Sequence, residues 1–567
     1  MNKFKLLMNV LGVAIIAIMP FLGLMAIYVI PMIVAGLMAV VCLMYFIKKP
    51  DKRNVKMNLT DVAVLLFVFY GVVRSLFVGG GLQWNFYLKW GALACLYFLF
   101  RYFISRKALC YGLVFGGFIQ SVVGLLQISG VMEPSTPLFE ITGSFSNPGP
   151  YAGFLSVCCI CTLSFAVVKY KEKVAISYVL FGTALFMAVM IIVADSRAAV
   201  MSVVGAIALL FFYNLKGNIK KWYVISAAAA MVVLVSVLYF YRKDSADGRL
   251  LIWRVSADMI SDSPVLGLGP GTFDKTYMTY QMKYFMENPD SDYSAVAGYT
   301  KFPYNEFIHV AVECGVVGLV LLLAIFVTVF VGKKTDMLHA PLKCTLLGWC
   351  IFACFSYPAE VFVLMALLAA LLASGGSVEI IHLKGKGVVC LLFAVACGYG
   401  VHSFFDYNGK IVELRRVVAM SERRMIEKDS LLRFVESNYS QLQADQHLYD
   451  RSVLNLCELG VERDEIEHLI GSISPSCLNY CTIGRMFVRN CDYDRAEEYF
   501  TQAHYMVPTM ITPVYEMFRM YVAKGDCQKA DVYARKVLEV PIKVENTKTL
   551  RAKWDAQLFL KNHKHSH

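Results

Sequence analysis

The chain contains little charge for its length. Only 17% of its 567 residues are Asp, Glu, Lys or Arg, whereas 58% are hydrophobic. This composition excludes a soluble globular protein and a disordered chain, because both carry far more polar surface. No small-residue cleavage site follows the basic start Met-Asn-Lys-Phe-Lys, so we expect an uncleaved first helix rather than a signal peptide. The chain is predicted to be a polytopic membrane protein.

The cysteines form no metal or disulfide pattern. Five of the seventeen, Cys457, Cys477, Cys481, Cys491 and Cys527, lie in the polar C-terminal part, and an odd number cannot pair completely within one chain. Cys477 and Cys481 are four residues apart, but no second pair or His completes a zinc pattern. We therefore assign no disulfide and no zinc site to the cysteines.

Long apolar runs dominate residues 1–405, the predicted transmembrane domain. A span needs about 20 apolar residues to cross about 30 Å of hydrocarbon. The first run is long enough for two helices joined by a tight hairpin between Pro20 and Pro31. The predicted fold class is all-α, with about thirteen transmembrane helices. They comprise two in 6–47, then 60–78, 86–104, 108–132, 141–168, 174–194, 198–215, 222–241, 314–332, 344–359, 361–378 and 387–401.

Basic residues are distributed unevenly between the loops. Alternate loops hold 21 Lys and Arg residues, whereas the short loops between them hold one, Arg197. The positive-inside rule places the N-terminus in the cytoplasm. The long loop 242–303 and the C-terminal domain, 406–567, then face the periplasm. Because topology accounts for most of the +12 net charge, no nucleic-acid partner is expected.

The C-terminal domain is charged, helical in pattern and internally repeated. The repeat period of 34 residues is that of tetratricopeptide (TPR) helix pairs, in which small residues let paired helices pack closely. We predict two such repeats and consider a third between 440 and 475. The domain serves either as a packing scaffold or as a docking surface for an acceptor or a protein partner. Asp492, Ala496, Tyr499 and Ala503 recur as Asp526, Ala530, Tyr533 and Val537.

The long loop carries the first candidate site residues. Residues 249–262 alternate at helical spacing, with Leu250, Trp253, Ala257 and Ile260 on one side, which predicts a helix lying in the membrane interface with Trp253 at headgroup level. Arg249 and Arg254 would flank this helix. Their planar guanidinium groups suit phosphate, although both alternatively bind lipid headgroups.

A glycine-rich segment follows, Pro-Val-Leu-Gly-Leu-Gly-Pro-Gly (264–271). Glycine permits positive φ and close backbone approach. Exposed N–H groups in such a segment hold anions, and an ordinary turn is the alternative.

The next helix begins after Pro303 and carries Asn305, His309 and Glu313 at spacings of four, which places them on one helical face. A buried His and Glu inside a span are costly, so a functional role is the default hypothesis. The alternative is a structural His–Glu pair that joins helices.

Four further polar residues are predicted at the same membrane face. Asn147 opens one span within Gly-Ser-Phe-Ser-Asn-Pro-Gly-Pro-Tyr (143–151), and Arg197 opens another. Arg74 and Lys89 lie in neighbouring spans near this face. Both either reach a bound anion or extend their charged ends towards the headgroups.

These motifs, in this order, resemble the O-antigen ligase superfamily, which includes O-antigen ligases, O-antigen polymerases and protein O-oligosaccharyltransferases. The resemblance covers roughly 60–380. One departure is that the family commonly has His immediately before the Asn of its fourth motif, where this chain has Tyr304, a poor base at neutral pH. The residues that carry the resemblance are Gly143 with Asn147, Ser196-Arg197, Gly248-Arg249 with Trp253, 264–271, Asn305-Glu306, Glu313-Cys314-Gly315 and Gly318.

The resemblance implies a glycosyltransferase of the inner membrane that moves a glycan from undecaprenyl pyrophosphate to an acceptor, with neither nucleotide nor essential metal. Cations that stabilise the leaving diphosphate lower the barrier. Arg197 and Arg249 are the first candidates for this role, and Arg74 and Lys89 the second. His309 or Glu306 would accept the proton of the acceptor hydroxyl. Asn147 and Asn305 would orient the sugar or the carrier.

Several functions remain open at this point. The acceptor is the lipid A core, a protein or the growing glycan itself, which would make the protein a polymerase. Outside the enzyme class, a flippase or transporter of lipid-linked glycan is the alternative. A transporter should show polar groups near the bilayer midplane and related halves. In this chain the polar groups gather at one face.

Overall fold

A computed structural model of the chain describes residues 3–22, 29–48, 55–77, 84–214, 221–332, 337–375, 378–383, 386–443, 445–542 and 545–564. Within these residues, the membrane part and the long loop together contain fifteen α-helices. These are α1 Lys3–Leu22, α2 Val29–Lys48, α3 Leu59–Phe77, α4 Trp84–Tyr102, α5 Arg106–Ile128, α6 Pro148–Lys171, α7 Ile176–Val193, α8 Arg197–Asn214, α9 Lys221–Tyr241, α10 Lys243–Asp262, α11 Phe273–Glu287, α12 Glu306–Val331, α13 His339–Ala353, α14 Phe362–Ser374 and α15 Lys386–Glu422.

A helix covers each of the thirteen predicted apolar runs. Within the described ranges, six helices are long and apolar enough to cross a membrane, and three shorter helices are also apolar. The all-α prediction is confirmed, and the protein is a multi-pass membrane protein. The number of spans stays a prediction. The six helices lie at Lys3–Phe21, Leu59–Phe77, Arg106–Ile128, Pro148–Lys171, Ile176–Val193 and Glu306–Val331.

The structure has two separate hydrophobic cores. One is formed by the membrane helices, with α6 packed deepest. The other joins the long loop to the C-terminal domain, because Leu251, Val255 and Tyr277 of the loop pack into the same cluster as Tyr449 and Phe500. The loop and the C-terminal domain therefore lie on the same side of the membrane helices. Which side faces the cytoplasm stays a prediction.

The opposite end of the bundle carries a two-stranded antiparallel sheet, β1 Val55–Asn58 paired with β2 Glu379–Leu383. Beside it, Arg101 forms an ion pair with the buried Asp61. The predicted basic loops 48–56, 216–221 and 384–386, and the turn of the first hairpin, lie largely outside the described residues.

The long helix α15 runs through the predicted domain boundary at 405/406 without a break and continues into the outer part. Two consecutive helix pairs follow at the predicted period, because α20 and α22 begin 34 residues apart, as do α21 and α23. Their assignment as TPR repeats stays a prediction. The outer helices are α16 Lys428–Ser437, α17 Tyr439–Gln443, α18 Gln446–Leu459, α19 Arg463–Ile470, α20 Cys477–Arg489, α21 Tyr493–Met506, α22 Ile511–Lys524, α23 Cys527–Glu539 and α24 Thr547–Lys564.

Candidate active site

Helix α12 is interrupted at Gly315, which has φ 63° and ψ −167°. The glycine-rich segment 264–269 docks against this interruption through backbone hydrogen bonds. The amide of Leu268 donates to the carbonyl of Val312 at 2.8 Å, and the amide of Val316 donates to that of Pro264 at 2.9 Å. The segment and the helix therefore form one rigid unit.

Two glycines make this close approach possible. A Cβ on Gly315 would lie 2.3 Å from the carbonyl oxygen of Val265, and one on Gly267 would lie 2.4 Å from the carbonyl carbon of Glu313. Both residues also have positive φ, which glycine adopts without strain.

Three of the six amides in the glycine-rich segment 264–271 are not available to a substrate anion. The amides of Gly267, Leu268 and Gly269 are all bonded to backbone carbonyls. The amide of Phe273, two residues after the segment, binds an internal anion, since it donates to the carboxylate of Glu313 at 3.2 Å. This amide opens α11, where a helix N-terminus favours negative charge.

His309 lies between two carboxylates of its own helix. Its Nδ1 is 3.4 Å from Oε2 of Glu306, and its Nε2 is 3.3 Å from Oε1 of Glu313. The other oxygen of Glu306 accepts a hydrogen bond of 2.7 Å from the amide of Ala359. Glu306, His309 and Glu313 are here called the acid–histidine triad. The side chains of His309 and Glu313 are 14% and 15% exposed, so the triad faces open space.

That open space is a cavity of about 570 Å³ between the membrane helices and the long loop. Its lining includes apolar side chains, Phe67, Trp90 and Phe326 among them, as well as polar ones. A volume of this size is typical of ligand sites. The charged and titratable residues that line it are Lys89, Asp274, Lys301, Glu306, His309, Glu313 and Glu360.

Arg197 and Arg249 come together a short distance from this cavity. Arg197, at the start of α8, donates to the carbonyl of Leu238 at 3.0 Å and to the Ser245 hydroxyl at 2.8 Å. Arg249, on α10, donates to the carbonyl of Phe355 at 3.0 Å. These two residues, here called the arginine pair, form a patch of like charge, which an anionic ligand would stabilise.

Arg197 donates to Ser245, which lies one turn before Arg249 on α10. Partial burial lowers the pKa of Arg249, and the positive charge of Arg197 lowers it further. The neighbouring Tyr357 is also affected, since burial raises its pKa to about 12. Arg249 nevertheless stays charged at neutral pH because its ordinary value is so high.

Three aromatic rings lie between the arginine pair and the cavity. Phe302, which lines the cavity, stacks on Tyr357 with ring centroids 4.2 Å apart, and Tyr304 meets Tyr357 edge-on at 5.5 Å. The guanidinium of Arg249 lies 5.2 Å above the ring of Tyr304. Tyr304 has φ 55°, a strained conformation for a non-glycine residue. Strain of this kind clusters at functional sites.

The two predicted asparagines both cap helices. The side-chain oxygen of Asn305 accepts from the amides of Phe307 and Ile308 at 3.0 and 3.1 Å, which begins α12. Asn147 accepts from the amide of Gly149 at 2.9 Å and begins α6. Capping satisfies otherwise unpaired amides at a helix start. A role for either residue towards a substrate stays a prediction.

The two basic residues of the neighbouring spans differ from each other. Arg74 donates to the carbonyls of Leu266 and Gly267 at 3.1 and 2.8 Å, so it holds the docked segment in place. Lys89 lines the cavity beside the acid–histidine triad. A role for Lys89 at the cavity therefore has geometric support, whereas Arg74 is engaged by the protein itself.

Helix α10 exists as predicted. The face that packs on protein carries Leu251, Val255 and Met259, which are buried against the C-terminal domain and α12, whereas Leu250 and Ala257 are exposed. Contact of the exposed face with the membrane interface stays a prediction. Trp253 faces inward, where its indole N–H donates to the carbonyl of Pro303 at 2.8 Å and supports the residue before Tyr304.

Arg254 does not accompany Arg249. It is exposed and lines a different groove, between α10 and α11. Five residues along a helix correspond to a rotation of about 140°, so the two side chains point away from each other.

Sequence reasoning missed Asp274, Lys301, Glu360 and Tyr357. Asp274 and Lys301 belong to the loop that the sequence singled out, but nothing in their local pattern distinguishes them from solvated charges. Glu360 lies in a short loop in which only basic residues were considered. Within the described ranges, no group of three His, Cys, Asp or Glu side chains is arranged to hold a metal ion.

The site thus combines the parts of a group-transfer centre. Carboxylates beside an imidazole can accept a proton, and clustered guanidinium groups can stabilise a leaving phosphate. Apolar walls next to them suit a lipid chain.

Comparison with known proteins gives a match over part of the chain. No curated protein matches the chain significantly. The sequence model of the O-antigen ligase family matches residues 182–323, a stretch that contains Arg197, Arg249 and the acid–histidine triad. This match supports the resemblance to the O-antigen ligase superfamily, whose members are membrane glycosyltransferases of ligase and polymerase type.

Proposed function

We propose that the protein transfers a glycan from undecaprenyl pyrophosphate to an acceptor hydroxyl on the periplasmic face of the bacterial inner membrane. The acceptor is the lipid A core or a protein. The observation that carries this proposal is the cavity, which combines apolar walls among the membrane helices with the acid–histidine triad. The apolar walls suit the lipid carrier, and the triad can activate the acceptor hydroxyl.

The arginine pair stabilises the leaving diphosphate in this proposal. Guanidinium groups bind phosphate oxygens in paired hydrogen bonds and remain charged at any physiological pH. Arg197 and Arg249 each already bind a backbone carbonyl, which holds their side chains in position. Lys89 and Lys301, in the cavity wall, supply additional positive charge near the carrier.

Glu306 is the favoured proton acceptor. Both nitrogens of His309 face carboxylates, so neither is free to accept a proton from a third group. Glu306 is fixed by the Ala359 amide and lies two residues from Tyr304, whose ring contacts Arg249. His309 then positions Glu306, and the reacting sugar lies at the edge of Tyr304 and Tyr357, between the base and the arginine pair.

A transfer assay in detergent tests the proposal. Purified protein without a sealed compartment should convert lipid-linked glycan to product, which a flippase cannot do. Glu306→Gln should reduce the rate about 10²- to 10⁴-fold, because it removes the proton acceptor. Glu133→Gln is the matched control, since Glu133 is exposed in the loop after α5.

Full turnover by Glu306→Gln would contradict the assignment of the base. In that case the paired variants His309→Ala and Tyr304→Phe locate the base elsewhere in the site. Mass spectrometry of the product identifies the acceptor, and a lengthened glycan on the same carrier would identify a polymerase.

A further inference from the structure

A second cavity, here called the α10–α11 groove, lies on the outer part of the molecule. It has a volume of about 520 Å³ and is lined by one face of α10, one face of α11 and Tyr293. It shares no lining residue with the membrane cavity. Its size is that of a ligand site rather than of a gap between side chains.

The groove presents unpaired charges of both signs. Arg254 and Asp258 on α10, and Lys283 and Glu287 on α11, are exposed, and none of the four makes a side-chain hydrogen bond or ion pair with another described residue. Their donors and acceptors are therefore available to a ligand. Because acidic and basic groups are mixed, the groove does not favour a phosphate or another simple anion.

The aromatic part of the groove is held rigidly. The hydroxyl of Tyr280 donates to Asp262 at 2.7 Å, and burial together with this bond raises the pKa of Tyr280 to about 12. The hydroxyl of Tyr284 is 3.1 Å from that of Ser291. Both rings also pack on the hydrophobic core that joins the long loop to the C-terminal domain. Fixed rings beside free polar groups suit a ligand with an apolar face and a rim of hydroxyls, which is the structure of a sugar ring.

The position of the groove relative to the active site is set by α10. Arg249, on one side of this helix, belongs to the arginine pair, and Arg254, five residues later, points into the groove. A chain bound at the active site and longer than a few sugars would pass around α10 to reach the groove. The path combines a rise of only about 7.5 Å along the helix axis with a turn of about 140° around it.

We propose that the α10–α11 groove binds a segment of the glycan chain remote from the reacting sugar. This proposal rests on the proposed function, because that function explains why a glycan would be present at the groove. Binding of the glycan to the groove does not itself require glycan transfer. The charged and aromatic side chains of the groove could bind the glycan of the donor or the glycan of the acceptor. The groove would then select for chain length, because a short glycan that occupies the active site does not reach it.

Direct binding to the full-length protein in detergent tests the groove without any turnover. The probe is the lipid-free oligosaccharide released by mild acid from the lipid-linked donors of the same cells. Arg254→Ala combined with Asp258→Ala should weaken its affinity about tenfold, and Lys283→Ala combined with Glu287→Ala should do the same. The matched control is Lys428→Ala with Asp429→Ala, which removes the same charges from an exposed site on α16.

Equal affinity in the wild type and both groove variants, or no binding by the wild type, would overturn the proposal. Transfer assays then identify the source of the chain. If the glycan of the donor occupies the groove, a groove variant should raise the KM of long donors about tenfold more than the KM of single-repeat donors. If the glycan of the acceptor occupies the groove, the variant should instead raise the KM of the acceptor. Oligosaccharide binding without any transfer would contradict the proposed function and leave the groove assignment standing.

Discussion

The arginine pair and the acid–histidine triad are two polar regions at the same end of the bundle, but they are built differently. Each arginine is held by carbonyls from another part of the chain, Leu238 for Arg197 and Phe355 for Arg249. The triad lies within two turns of one helix, and its outside partners are the amides of Ala359 and Phe273. The pair depends on the assembly of several helices, whereas the triad depends mainly on α12.

This difference separates two physical tasks. Long, flexible cations that act on a leaving group must be positioned, and bonds to backbone carbonyls do this while they keep the charge. Carboxylates inside a membrane protein must instead be stabilised, because an isolated buried charge is costly. Within the triad, His309 and two backbone amides provide that stabilisation.

The largest expected effect is on the arginine pair. Arg249→Ala should reduce transfer by about 10² to 10³, the usual cost of removing one group that stabilises transition-state charge. The variant should insert into the membrane normally, because Arg249 lies outside the apolar spans. The measurement is product formation per inserted protein, with the exposed Arg433→Ala on α16 as the control. Near-normal product from Arg249→Ala would exclude the arginine pair from the mechanism.

The next effect concerns the scaffold of the triad. Gly315→Ala should destabilise the protein by about 3 kcal/mol or more, because the residue has positive φ and the new Cβ would lie 2.3 Å from the carbonyl oxygen of Val265. Thermal unfolding in detergent measures this loss. Gly182→Ala on α7 is the matched control, since a Cβ there meets nothing within 4 Å. If both variants melt together, the docked segment 264–269 does not stabilise the triad.

The smallest effect tests the contact between the two regions. Tyr304→Ala removes the ring below Arg249 and should lower transfer about three- to thirtyfold, the range expected for a partly buried cation–π contact. Tyr304→Phe keeps the ring and should retain most of the rate. The two variants are compared at saturating donor. An equal loss in both would mean that the hydroxyl, rather than the ring, of Tyr304 takes part in the reaction.

The helical part of the structure could be predicted well from the sequence. Every predicted apolar run lies on a helix, and the pairing of His309 with Glu313 follows from their spacing. The arginines that were singled out by their sidedness, Arg197 and Arg249, both reach α10, because Arg197 donates to Ser245, one turn before Arg249. Local periodicity and charge asymmetry carry this information because they reflect the bilayer directly.

Other features escaped prediction because they depend on contacts between distant residues. The packing of α10 on the C-terminal domain through Leu251 and Val255 was not expected from the sequence. The amides of 264–269 bind α12 instead of a substrate, and Arg74 binds the carbonyls of that same segment. None of these partners is adjacent in sequence.

The sequence by itself determined a multi-pass helical protein, because hydrophobicity and helical spacing are local properties, and its motifs resemble those of the O-antigen ligase superfamily, whose model matches residues 182–323. Only the tertiary structure decided which of the polar side chains share a cavity, which are engaged by backbone atoms and which face a separate groove. The reason is that a charged side chain takes its role from its nearest partners, and in this protein those partners come from distant segments, as Phe355 does for Arg249 and Gly267 for Arg74.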